Sequence, residues 1–207
     1  ENEKVVGRIM GLINEQYNSI NNCKDARFFA VECINKQEVM HELISFVEDW
    51  ARSKGMNRLV GPYGFSDKDP QGFMVEGFEH SPVIATNFNY PYMVQLLGNE
   101  GFSKEVDCFS YKIDIPDSIP ELYEKILART LKNNRLKLLN LKCKRSMKKY
   151  IVPVFRLINE AYSPLYGFVP LDEEEMSEIA DKYFMILDID FIKIILDEND
   201  EVAAFII

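Results

Sequence analysis

Few residues in this chain have the type and spacing to do chemistry. The turn Ile34-Asn35-Lys36-Gln37-Glu38 lies between an apolar, β-branched run and a helical pattern. A helix start presents unpaired N–H groups and the positive end of the helix dipole, so an anion is the ligand such a turn can serve. Farther on, Glu76 and His80 flank Gly77-Phe78 in a stretch dense in Gly, Pro and Asp. A carboxylate or an imidazole there can reach a substrate; the plain alternatives are a solvated glutamate and a turn histidine. His41 falls inside the helical pattern and reads as a surface or boundary residue. Cys23, Cys33, Cys108 and Cys143 show no paired spacing. Cys33 and Cys108 sit in apolar strand contexts, which reads as reduced core thiols. There is no Ser-His-Asp set, no metal-ligand spacing and no P-loop.

The elements that position these residues follow from periodicity. Residues 5–13 form an apolar, β-branched strand, residues 14–25 a polar connection and residues 27–34 a second strand, antiparallel to the first. Met40, Leu43, Ile44, Val47 and Ala51 recur at helical spacing, and Gly55 stands where a left-handed cap closes the helix. Residues 59–64 return as a strand, so strand, helix and strand make one parallel crossover. A Gly- and Pro-rich loop follows. Pro91 opens a short helix that ends at Gly101, and residues 107–115 alternate as a strand. Ser118 with Glu121 starts a helix to about Leu131, and residues 135–143 are strand-like. A helix from Pro153 runs to about Tyr162. Asp172 with Glu175 caps another that carries Met176, Ile179, Ala180, Tyr183, Phe184 and Leu187 on one stripe. Two strands, 191–196 and 202–207, flank the turn DENDE.

A chain of 207 residues can bury one sizeable core or two small ones. Its net charge of −9 argues against a nucleic-acid partner. Basic residues between Lys132 and Lys149 read as a solvated face. No apolar run is long enough to cross a bilayer, so no membrane partner is expected, and the reduced thiols lead to the expectation of a cytoplasmic location. The chain begins at Glu1 without a methionine, which leaves room for a removed leader.

The ending echoes the beginning. Glu198-Asn199-Asp200-Glu201-Val202 and its apolar tail parallel Glu1-Asn2-Glu3-Lys4-Val5 and the strand after it. With this repeat, the element order and Leu97-Gly98-Asn99-Glu100-Gly101-Phe102 resemble the GNAT superfamily of acyltransferases. Leu157-Ile158-Asn159-Glu160-Ala161-Tyr162 resembles that family's first helix. More narrowly, GPYGFSDKDPQGFMVEGFEHSPV followed by NYPYMVQLLGNEGF resembles a group of bacterial proteins with two GNAT-like units. The fold implied is α+β: a predominantly antiparallel sheet flanked by helices, with a splayed strand pair beside the central helix. Residues 1–116 would be the later portion of a first unit, 117–134 a connecting helix, and 135–207 the opening portion of a second. The whole would be a portion of a longer protein.

The resemblance implies that acetyl-CoA rests its diphosphate on Ile34, Asn35, Lys36 and Gln37. The family's loop there is rich in glycine; this turn has none, and Glu38 adds negative charge. The chain alone is therefore expected to bind acetyl-CoA weakly. Tyr92 matches the position of the family's proton donor to the departing thiolate, and Glu76 is the candidate base. No metal is implied. Three readings follow: an N-acetyltransferase acting on a small-molecule amine or peptide, a non-catalytic GNAT-like module with a degenerate CoA loop, and an aminoacyl transferase of cell-wall type. The acidic balance disfavours the charged tRNA that the last would need.

Overall fold

A computed structural model describes residues 4–82, 86–132, 135–141, 143–184 and 187–207; the side chains of 131, 183 and 184 lie outside that description. The chain forms two compact units, Glu1–Ser110 with Tyr166–Val169, and Tyr111–Leu165 with Pro170–Ile207. The fold class is α+β, as the sequence led one to expect.

The first unit holds a three-stranded sheet in the order β1-β2-β3. Strand β1 (Gly7–Leu12) runs antiparallel to β2 (Asp25–Cys33), and β3 (Arg58–Val60) runs parallel to β2 after the crossover helix α2 (Gln37–Ser53). Met40, Ile44, Val47 and Ala51 bury the inner face of α2. They pack with Phe28, Val31, Cys33 and with Met93, Leu96 and Leu97 of α3 (Tyr92–Asn99). Gly55, at φ +76°, ends α2 in the left-handed conformation expected of it. Gly101 turns the chain after α3, and the Phe102 ring then meets Phe28 edge-on at 5.4 Å.

The second unit holds an antiparallel sheet in the order β4-β5-β6: Lys137–Leu139, Lys193–Leu196 and Val202–Ile206. Ahead of the core lie α4 (Glu121–Lys132) and the short α5 (Lys144–Met147), which leads through a 3-10 turn into α6 (Ile151–Tyr162). Met147, Tyr150 and Val154 pack on Ile192, Ile194 and Leu196. Helix α7 (Glu173–Phe184) opens on a reciprocal cap: Glu175 N–H donates to Asp172 Oδ1 and Asp172 N–H to Glu175 Oε2, both at 2.9 Å. The acidic run at 173–175 therefore serves the helix start.

Four expectations need correction. The polar connection 14–25 contains a helix, α1 (Glu15–Asn21). It buries no side chain and so lacks an apolar stripe. Its signal lies in the caps: Asn14 Oδ1 accepts from Tyr17 N–H at 2.8 Å, and Asn22 takes a left-handed φ of 50°. Residues 107–115 alternate like a strand but join no ladder among the described residues, and their side chains are exposed. Cys108 is accordingly exposed instead of buried, while Cys33 is buried as expected. Alternation records a capacity to pair, and pairing also needs an edge within reach. The strand read at 135–143 shrinks to three residues, with Lys142 outside the description. The continuation of α7 to Leu187 passes through 185–186, also outside it.

Gly61 marks where the chain after β3 crosses β2. A Cβ at Gly61 would lie 2.5 Å from the Phe28 carbonyl oxygen and 2.6 Å from its ring. Gly61→Ala should thus destabilise the protein by about 1–3 kcal/mol, the usual range for overpacking. Gly98, next to last in α3, has nothing within 4 Å of such a Cβ. Gly98→Ala should stabilise by about 0.5–1 kcal/mol through helix propensity. Urea unfolding midpoints of the two variants are expected to move in opposite directions; a shared direction would contradict this packing.

Candidate functional site

Within the first unit, β2 and β3 pair over only three residues: Asp25 with Arg58, Ala26 with Leu59, and Arg27 with Val60. At Phe28 the partner is already turning off, its last tie being the Tyr63 N–H to the Phe28 carbonyl at 2.8 Å. Among the described residues, β2 from there to Cys33 is laddered only to β1. The two parallel strands therefore open into a wedge, with the backbone of β2 along one side.

A bulge shapes that side. Arg8 faces Glu32 while Met10 faces Phe29, so β2 spends one residue more than β1 over the same span. Ala30, with φ of +48°, absorbs the difference. Bulges bend a strand and re-aim its backbone groups, and they concentrate beside functional clefts.

Arg27 holds the wedge open from its closed end. Its guanidinium is almost wholly buried, with Nη1 donating to the carbonyls of Phe65 at 2.6 Å and Gly64 at 3.1 Å. The Tyr17 and Tyr63 rings cover it, with centroids 4.4 and 4.2 Å from Cζ. Asn14 Nδ2 shares the Phe65 carbonyl at 2.8 Å. Tyr63 donates to the carbonyl of Gly167 at 2.8 Å, and burial drives its phenol well above the ordinary range. A charge inside an apolar strand was the available signal for Arg27. Its role in fixing the departing loop depends on Gly64 and Phe65, and no local pattern encodes that pairing.

At the open end lies the turn into α2. Tyr92 donates its hydroxyl to the Cys33 carbonyl at 3.0 Å, so the candidate donor stands at the tip of β2. Burial raises the Tyr92 phenol above its ordinary value. Lys36 N–H folds back to the Ile34 carbonyl at 2.7 Å, and Lys36 precedes α2 without a side-chain cap. Gln37 is committed elsewhere. Its Nε2 donates to the Leu96 carbonyl at 3.0 Å and to Glu100 Oε1, and its Oε1 accepts from Asn99 at 2.9 Å. His41 Nδ1 meets the other Glu100 oxygen at 2.8 Å.

These contacts clamp the start of α2 to the end of α3. Glu38 stands in the first turn of α2, where its carboxylate offsets the helix dipole. A diphosphate there would meet non-glycine side chains and the Glu38 carboxylate. Cys33 is buried, and desolvation raises its thiol, which makes it a poor nucleophile.

Glu76 and His80 lie exposed in the long loop, His80 beside Glu79 at 3.4 Å. Among the described residues no hydrogen bond joins either to Tyr92 or to the turn. The loop's arms are laced by Asn89 to both backbone groups of Met74 and by Asn87 to the Gly72 carbonyl. No group of metal-binding side chains occurs among the described residues, nor is any helix there long and apolar enough to cross a membrane.

The chain is 27% identical over 164 residues to the bacterial ceramide synthase of Caulobacter vibrioides, covering 79% of this chain and 42% of that protein. It is 22% identical over 209 residues to protein YghO of Escherichia coli, covering 99% of this chain and 53% of that protein. The chain thus spans about half the length of the curated relatives it matches. No family model matches it, and no solved structure matches it significantly. The two relatives suggest a distant family, with which a GNAT-like acyltransferase is compatible.

The His41–Glu100 contact has a pH signature. Its hydrogen bond to Glu100, and then the carboxylate charge, raise His41 above its ordinary value near 6.5. A raised folded value means that the tie contributes fully below the unfolded pKa and fades as pH rises through the folded one. In an NMR titration, Glu100→Gln should return His41 toward 6.5. An unchanged midpoint would remove Glu100 as the cause.

Proposed function

We propose that this chain is part of an N-acyltransferase and that its first unit holds an acyl thioester in the wedge between β2 and β3. The parting of these strands carries the reading. A thioester arm is an extended chain of amides, and a strand edge freed of its neighbour offers N–H and C=O groups to pair with it. The bulge at Ala30 and the Tyr92 hydroxyl lie along the same edge. The ceramide synthase relative supports amide formation, because a ceramide is the amide of a fatty acid with a long-chain amino alcohol.

The chemistry follows from that placement. An amine nitrogen attacks the thioester carbonyl carbon, the C–S bond breaks, and the amine gives up a proton. The departing sulfur takes a proton, and Tyr92 is the donor at the tip of β2. To act, its hydroxyl must exchange the Cys33 carbonyl for the thiolate, a shift of one hydrogen bond. Glu76 is retained as a candidate base, brought in by movement of its loop. The acceptor is a small-molecule or peptide amine.

Acetyl-CoA is the donor the GNAT resemblance implies, yet Ile34, Asn35, Lys36 and Gln37 make no cradle for its diphosphate. Binding at the wedge then rests on the arm and the acyl group, and affinity for acetyl-CoA in this chain alone is weak. The second reading, a non-catalytic module, is favoured by the same turn and by the Gln37 side chain being spent on α3.

Amide formation from acyl thioesters and amines separates the two. Tyr92→Phe is expected to lower the rate by about 10²–10⁴, the usual contribution of a positioned acid, with thermal unfolding nearly unchanged. Full activity in that variant would remove Tyr92 from the chemistry. A folded chain that binds thioesters and forms no amide would favour the module.

A further inference from the structure

Charge is unevenly spread along this protein. Residues 121–149 carry ten Lys and Arg against two carboxylates, Glu121 and Glu124, a net of +8 in a chain whose total is −9. That span begins with α4, whose apolar side chains face solvent. Leu122, Tyr123, Ile126 and Leu127 are 51–64% exposed, and Ile119 just before the helix is 69% exposed. Their spacing puts them on one stripe of the helix. Lys125, Arg129 and Lys132 follow at intervals of four and three and so form a row along one border of that stripe. Glu124 falls at the opposite border, and Lys125 pairs with Glu121 at 2.7 Å, which leaves Arg129 and Lys132 as the bases of the row at the C-terminal end. Beyond α4, Arg145 and Lys149 are exposed as well, while Arg135 and Lys137 are exposed but face Glu198 at 3.9 Å and Asp200 at 3.7 Å.

We propose that the second unit docks on an anionic membrane surface, with α4 lying in the plane of the headgroups. A helix of 12 residues is about 18 Å long, too short to span a bilayer and long enough to lie in its interface. The apolar stripe enters the boundary between headgroups and acyl chains, and the bordering bases meet lipid phosphates. Nucleic acid offers the same phosphates, but a row of leucine and isoleucine gains nothing against a sugar-phosphate backbone. The pairing of stripe and bases favours lipid. Composition alone led to the expectation of no membrane partner, since it tests only for spanning segments. An interfacial helix leaves no such run.

Flotation of the chain with vesicles tests this. At 0.1 M salt it should bind vesicles of equal phosphatidylglycerol and phosphatidylcholine at least tenfold more tightly than phosphatidylcholine alone. Binding should fall as salt rises. Arg129→Gln with Lys132→Gln should weaken it roughly fivefold per charge removed. Leu122→Ser with Ile126→Ser should also weaken it. All four positions are exposed, so the fold is expected to persist, with circular dichroism as the check. Equal affinity for the two vesicle types would overturn the proposal, as would variants that bind like the parent. Tighter binding to single-stranded RNA or duplex DNA than to the anionic vesicles would overturn it in favour of a nucleic acid.

Discussion

The arrangement of the first unit depends on where the Arg27 guanidinium is spent. A cation so deeply buried is costly unless every face of it finds a partner. Here two carbonyls take Nη1, and two tyrosine rings take its faces, each such contact worth about 0.5–2 kcal/mol. Those carbonyls belong to Gly64 and Phe65, just past the end of β3. Holding them draws the chain off β2 after three paired residues. The wedge is the consequence, and Gly61 is the point where the crossing backbone comes closest. One nitrogen, Nη2, is buried without a hydrogen-bond partner among the described residues.

The opposite end of the wedge is governed by a second polar cluster. Glu100 gathers Gln37 and His41, while Asn99 completes the amide of Gln37. This clamp fixes α3 on α2 and so sets Tyr92 at the tip of β2. The same residues that position the candidate donor also take up the side chain of Gln37 at that turn. A phosphate cradle would need glycines and a free helix start, whereas a clamp needs long polar side chains at those positions.

Much of this was legible in the residues. Met40, Ile44, Val47 and Ala51 encode α2 unaided, and the crossover length then forces β2 and β3 to be parallel. Asp172 and Glu175 announce their cap. What stayed hidden was set by partners distant in sequence. Arg27 is paired with residues 37 and 38 positions away, and Gln37 with residues 59 and 63 away. The helix at Glu15–Asn21 escaped notice because it has caps without a stripe. Residues 107–115 misled in the opposite way, having the stripe of a strand without an edge to join. Periodicity reports which face a segment could bury, and tertiary contacts decide whether it does.

Backbone hydrogen exchange at Phe28–Cys33, with and without an acyl thioester, bears on the wedge most directly. Amides on the free side of β2 should exchange slowly when a saturating long-chain acyl-CoA is present and faster in its absence. Asn35, Lys36 and Glu38 should be unaffected. Protection at the turn with none along β2 would contradict the account: the ligand would then be held by its diphosphate at the start of α2, and the wedge would be a feature of packing.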